Sequence, residues 1–166
     1  MLVAFVLISH FAMAQNKNVK PCTLDPVYRQ FDFWIGDWEV FAPNGKPAGE
    51  SHVELILDSC IIFENWKSGG GNYAGKSFNS YNSGTKQWQQ NWVDDKGGQN
   101  DYYGNYADNK MVYQTQAFVF SKDTMAIRKM TFFHLSETKV RQLGEITKDN
   151  GKTWAIEYDL EYRRRK

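Results

Sequence analysis

Phe31-Asp32-Phe33-Trp34-Ile35-Gly36-Asp37-Trp38 opens a stretch in which turn signals recur at near-equal spacing. They fall at Asn44-Gly45, Asp58-Ser59, Gly69-Gly70-Gly71, Ser83-Gly84, Gly97-Gly98, Asp108-Asn109, Lys122-Asp123, Ser136-Glu137 and Asn150-Gly151. Gly, Asn and Asp accept the positive φ angles of tight hairpins, so each signal lets an extended chain reverse within a few residues. Successive signals about a dozen residues apart describe an antiparallel meander. Nine reversals separate ten strands, and a sheet of that size removes its unpaired edges by closing. The expected fold is all-β: one antiparallel up-and-down barrel of about ten strands.

The 166 residues, 42% hydrophobic and 16% aromatic, suffice for one core. Twenty Lys and Arg against nineteen Asp and Glu leave a formal charge of +1. No long-range field of one sign therefore draws the protein to nucleic acid or to an anionic membrane.

Residues 1–14 read as an export signal. Leu2-Val3-Ala4-Phe5-Val6-Leu7-Ile8 is too short to span a bilayer, and Ala12-Met13-Ala14 before Gln15 has the small-x-small form of a cleavage site. Cleavage there leaves a protein with no membrane-spanning segment, exported to the periplasm or beyond. Residues 15–30 form a lead-in, and residues 31–166 the barrel. Cys22 and Cys60 are the only cysteines. In an oxidising compartment they read as one disulfide, the alternative being two separate buried thiols. Within the lead-in, Asp25-Pro26 is an N-cap residue followed by proline at the first helical position, which predicts a helical turn capping one end of the barrel.

Alternation assigns faces. Residues Trp34 to Phe41 read as the first strand, with Trp34, Gly36 and Trp38 on one face. In the last strand Trp154, Ile156, Tyr158, Leu160 and Tyr162 share a face, with Glu157 and Asp159 opposite. Between these strands, inward faces mix polar and aromatic residues: Ile62, Glu64 and Trp66; Trp88, Gln90 and Trp92; Arg128, Met130, Phe132 and His134; Val140 and Gln142. Burying Glu, Gln and Arg is costly unless they pair with each other or meet a polar group of a guest. Two readings follow. Glu64, Gln90 and an Arg form an internal network, or they orient a ligand in an aromatic pocket. Gln114 and Gln116 are further candidates of uncertain facing.

Phe31-Asp32-Phe33-Trp34-Ile35-Gly36-Asp37-Trp38, Glu64-Asn65-Trp66, Gln90-Asn91-Trp92-Val93-Asp94, Gly151-Lys152-Thr153-Trp154 and Tyr162-Arg163-Arg164 together resemble an uncharacterised family of exported bacterial proteins described as lipocalin-like or calycin-like. The resemblance covers nearly the whole mature chain and implies the fold and export, with no assigned reaction. A looser resemblance is to lipocalins proper, whose Gly-x-Trp triplet is covered by an Arg from the final strand. Here Gly36-Asp37-Trp38 matches the triplet and Arg163 or Arg164 the covering residue. That resemblance gives Gly36, Trp38 and Arg163 structural roles, and Trp34 reads as a core plug because large aromatics are mostly buried packing.

Gly70-Gly71-Asn72-Tyr73-Ala74-Gly75-Lys76-Ser77 spells a phosphate-binding loop, but that loop must open a helix, and Ser77-Phe78-Asn79-Ser80-Tyr81 alternates as a strand. Hydrolase and zinc signatures are missing from the sequence. His52 has no ligand-spaced partner, and the basic tail Arg163-Arg164-Arg165-Lys166 reads as solvated. The expected function is binding of a small, partly apolar molecule by Glu64, Trp66, Gln90, Trp92, Arg128 and His134, with no metal or cofactor. The alternatives are an enzyme using Glu64 or His134 as acid or base, and a haem-binding barrel through His134.

Overall fold

The computed structural model describes residues 20–166. The expected export segment and the first residues of the lead-in lie outside the described residues. The lead-in forms a short helix, α1 (Pro21–Leu24), and a 3-10 turn, Pro26–Arg29, with Pro26 at its start. The Asp25 carboxylate accepts from the Val27 backbone N–H at 3.0 Å, as its N-cap role requires. A second 3-10 turn, Asp32–Trp34, holds Trp34, so the first strand begins at Gly36 and not at Trp34. The Trp38 indole donates to the Trp34 carbonyl at 2.8 Å, satisfying an acceptor that the end of the turn leaves open.

Eleven strands follow: β1 (Gly36–Phe41), β2 (Pro47–Ile56), β3 (Ile61–Ser68), β4 (Ala74–Asn82), β5 (Gln87–Asp94), β6 (Gln99–Ala107), β7 (Lys110–Gln114), β8 (Phe118–Ser121), β9 (Thr124–Ser136), β10 (Lys139–Thr147) and β11 (Ala155–Arg164). Each of the nine turn signals falls at a reversal. At Asp108-Asn109 both residues have positive φ, 50° and 56°, matching a two-residue hairpin. All pairings are antiparallel, and β11 returns to β1 with Val40 opposite Tyr162. The result is a closed barrel of ten strands in which β8 is an extra piece.

That extra piece arises where one strand was expected over residues 110–121. Gln114 pairs with Lys129 and Phe118 with Ala126, so three residues oppose two and the ladder breaks. Thr115 bridges the break: its N–H donates to the Arg128 carbonyl and its hydroxyl accepts from the Arg128 N–H, both at 3.0 Å. Gln114 and Gln116, at the same break, are exposed.

One end of the barrel is plugged. Phe31 and Trp34, both fully buried, stack at 5.1 Å, and Trp34 lies 4.5 Å from Phe132. Trp88 donates its indole N–H to the Gln30 side chain at 3.1 Å, tying the lead-in to β5. Arg164 covers Trp38, its guanidinium 4.5 Å from the ring, while Arg163 lies over Phe41. The covering residue is therefore Arg164 and not Arg163. Gly36, at φ +138°, supplies the clearance, because a Cβ there would overlap the Arg164 guanidinium. Cys22 and Cys60 are joined, fastening α1 to the turn between β2 and β3 at this closed end. No helix among the described residues is long and apolar enough to cross a membrane.

Candidate functional site

Along β3 and β5 the inward residues run apolar, polar, aromatic from the plug towards the other end. Ile62, Glu64 and Trp66 give one column, and Trp88, Gln90 and Trp92 the next. Above the plug this leaves a cavity of ≈ 320 Å³, lined by Glu64, Trp66, Gln90, Trp92 and Arg128 among others. The structure thus brings five of the six expected site residues together.

His134 is the exception. Its ring stacks on Phe33 at 4.8 Å, at the closed end, and does not line the cavity. Alternation placed it on an inward face, but its depth along the strand puts it under the 3-10 turn that carries Phe33. The haem and acid–base alternatives through His134 therefore have no cavity at that ring.

Glu64 is 3% exposed. Its two oxygens accept from the Ser51 and Ser77 hydroxyls, each at 3.0 Å. Asn79 donates to the Ser77 hydroxyl at 3.1 Å and to the Ile62 carbonyl, and accepts from the Gln90 amide at 2.9 Å and from Tyr113 at 3.3 Å. The polar floor is thus a chain across β2, β3, β4 and β5 that contains no Arg, which corrects one of the two sequence readings. Burial pushes the Glu64 carboxyl up to about 7, against the lowering effect of the Ser77 and Ser51 hydrogen bonds. On the opposite wall Gln142 accepts from Tyr162 at 2.7 Å and donates to the Met130 sulfur at 3.0 Å.

Arg128 sits at the mouth. Its Nε lies 2.9 Å from Glu157, its Nη1 donates to Asn100 at 3.2 Å, and its guanidinium lies 4.9 Å over the Phe118 ring. Glu157 faces this way because of a bulge in the pairing of β10 with β11: Gly144 opposes Tyr158 and Glu145 opposes Ile156, leaving Glu157 as the extra residue. Beyond that bulge Ile156 is 65% exposed and Trp154 carries the Lys129 ammonium over its ring at 4.2 Å. The single-face reading of Trp154 to Tyr162 thus holds only from Tyr158 onward.

Three wall aromatics lie across glycines of neighbouring strands. A Cβ at Gly49 would meet the Trp66 indole, one at Gly75 the Trp92 indole, and one at Gly144 the Tyr158 ring. Gly75 and Ser77, part of the phosphate-loop pattern, therefore serve the barrel interior, while Lys76 points outward over Phe63. Ser51, Ser77 and Asn79 were missed by sequence reasoning, although their parity with Val53 and Gly75 was the available signal. Tyr102 also lines the cavity, and burial raises its hydroxyl to about 12 against the lowering effect of Arg128. Away from the cavity, His52 is exposed and bonds Asp37 at 2.6 Å. Among the described residues no three His, Cys, Asp or Glu side chains converge as metal ligands.

Fold and site together define a lipocalin-like barrel, plugged at one end and hollow towards the other. No protein-family model and no curated protein matches the chain.

Proposed function

We propose that this protein is an exported binding barrel for a small, partly apolar molecule, and that it belongs with the uncharacterised lipocalin-like family that its sequence resembles. The observation that carries this reading is the cavity of ≈ 320 Å³, with tryptophans for walls and a polar floor already hydrogen-bonded. Its volume lies at the small end of the roughly 300–1,000 Å³ range of ligand pockets. A packed core would fill that space with aliphatic side chains and would not keep Glu64 and Gln90 there. Export is supported by the Cys22–Cys60 disulfide, since such bonds persist in oxidising compartments, and by the apolar run ahead of Gln15.

An uncharged, environment-sensitive naphthalene dye tests the reading. The dye should bind with saturation and quench tryptophan emission. Trp92→Ala should weaken it about tenfold, while a partly exposed wall residue costs the fold less than a core tryptophan does. A wild-type protein that takes up no dye to saturation would mean a barrel with no usable interior. Glu64, titrating near neutrality against the cavity, also favours a second reading, an enzyme with Glu64 as acid or base. The two part on whether a bound guest leaves with its mass unchanged.

A further inference from the structure

We propose that the guest is an organic cation, a protonated amine on a small apolar body, with its ammonium seated against Glu64 and its body between Trp66 and Trp92. The proposal rests on the binding reading above and adds the charge of the ligand.

The first argument is an uncompensated acid. The Glu64 carboxyl is buried, lines the cavity and is held only by two neutral hydroxyls; among the described residues no Lys, Arg or His forms an ion pair with it. A buried carboxylate of that kind is stabilised by any cation that can reach it. Tyr158 and Tyr162 of β11 face it with neutral hydroxyls that burial keeps protonated.

The second argument is the count of charges. Of the ionisable Asp, Glu, Lys, Arg and His side chains that line the cavity among the described residues, Glu64 and Glu157 are acids and Arg128 is the only base. Arg128 is already committed to Glu157 and Asn100. With all three ionised, two negative charges against one positive leave the cavity at −1.

The third argument is the direction of the hydrogen bonds. Ser51 and Ser77 donate to Glu64, Asn79 spends its amide on Ile62 and Ser77, and Gln90 donates to Asn79. The floor has spent most of its donors and keeps a carboxyl as acceptor, so a complementary guest brings donors of its own. Trp66 and Trp92 add electron-rich faces, which attract a cation and repel an anion.

The test uses three probes of one shape: 2-phenylethylamine, 2-phenylethanol and phenylacetate, titrated calorimetrically into the intact protein. The ammonium should bind roughly tenfold to a hundredfold more tightly than the alcohol, and the carboxylate least. Glu64→Gln should erase the preference for the ammonium over the alcohol. A wild-type measurement covers the case in which that variant fails to fold. Affinity for the amine should rise between about pH 5.5 and about pH 8 as Glu64 ionises, with proton release on binding, while that for the alcohol does not rise. Arg128, Glu157, Tyr73 and Tyr102 also face the cavity, and burial raises both tyrosine hydroxyls, so the tyrosines stay neutral across that window. Alcohol or carboxylate binding as tightly as the amine, or an amine affinity indifferent to pH, overturns the proposal while leaving the binding reading intact. Failure of all three probes and of the naphthalene dye to bind overturns both.

Discussion

The Glu64 carboxyl ionises in the folded protein only at about 7, whereas its ordinary value is 4.5. Burial is the dominant cause, and the two serine hydroxyls offset only part of it. The sign of the consequence is fixed by which state holds the proton. Between about pH 4.5 and about pH 7 the folded chain keeps a proton that the unfolded chain has lost, so stability falls as pH rises. The contribution is fully present below 4.5 and gone above about 7. At roughly 1.4 kcal/mol per unit the upper bound is on the order of 3 kcal/mol. Urea unfolding at about pH 5 and about pH 7.5 should show a loss of about 2 kcal/mol or more in the wild type that is mostly absent from Glu64→Gln. Equal losses in the two proteins would show that Glu64 is solvated in the folded state. Glu64 was legible because its neighbours Ile62 and Trp66 fixed the inward face. The serines that hold it were not, because a small hydroxyl residue on a strand looks the same whether it faces solvent or a buried acid.

At the scale of the strand, the glycines matter more than their place in any motif. Gly75 lies on β4 beside Trp92 of β5, and the indole occupies the space that a side chain would take. Overpacking a fitted site costs about 1–3 kcal/mol. Gly75→Ala should therefore lower stability by about that amount and push the Trp92 ring towards the cavity, weakening naphthalene dye binding as well. Thermal melting and dye titration of the same variant check both effects. Unchanged dye affinity beside a lowered melting temperature would mean that the ring moves elsewhere. The sequence displays Gly75 within a phosphate-loop pattern, and only the strand that follows shows that the pattern is idle. Bulges were the less legible feature. Turn signals have a residue chemistry, a tolerance of positive φ that six of the nine use, and all nine marked reversals. The extra residue at Glu157 has none, so alternation carried Trp154 and Ile156 to the wrong face and hid the partner of Arg128. The break between β7 and β8 went unseen for the same reason, since Thr115 supplies its missing ladder bonds with a side chain that any strand accepts.

For the molecule as a whole, closure was legible because ten strands need an eleventh edge to nowhere or a return to the first, and Tyr162 beside Val40 makes that return. Depth along the barrel axis was not legible. Parity tells in from out and says nothing of near from far, which is how His134 was grouped with Arg128, three repeats of the β9 pleat away from it. Depth is set by the turn ahead of β1, where Phe31, Phe33 and Trp34 fill one end, and the lead-in that precedes it is held by the disulfide. Cys22 and Cys60 lie 38 residues apart, so their bond closes a loop that contains the plug, β1 and β2. In the chain-entropy account such a loop stabilises the fold by about 3–4 kcal/mol. For a domain of this length that corresponds to roughly 6–16 °C in melting temperature. Cys60→Ser, or reduction of the wild type, should lower the melting temperature by that amount while leaving the far-ultraviolet signature of the barrel in place at room temperature. The plug should suffer first, because without the bond it is retained by aromatic packing and by a few hydrogen bonds, those of Trp88 to Gln30, Trp38 to the Trp34 carbonyl and Arg29 to the Ser59 carbonyl. Amide exchange should accordingly quicken in the lead-in before it quickens in β3 to β5. A reduced protein that melts with the oxidised one, or exchange that quickens evenly over all strands, would show that the plug is seated by packing alone and that the disulfide fastens nothing the barrel needs.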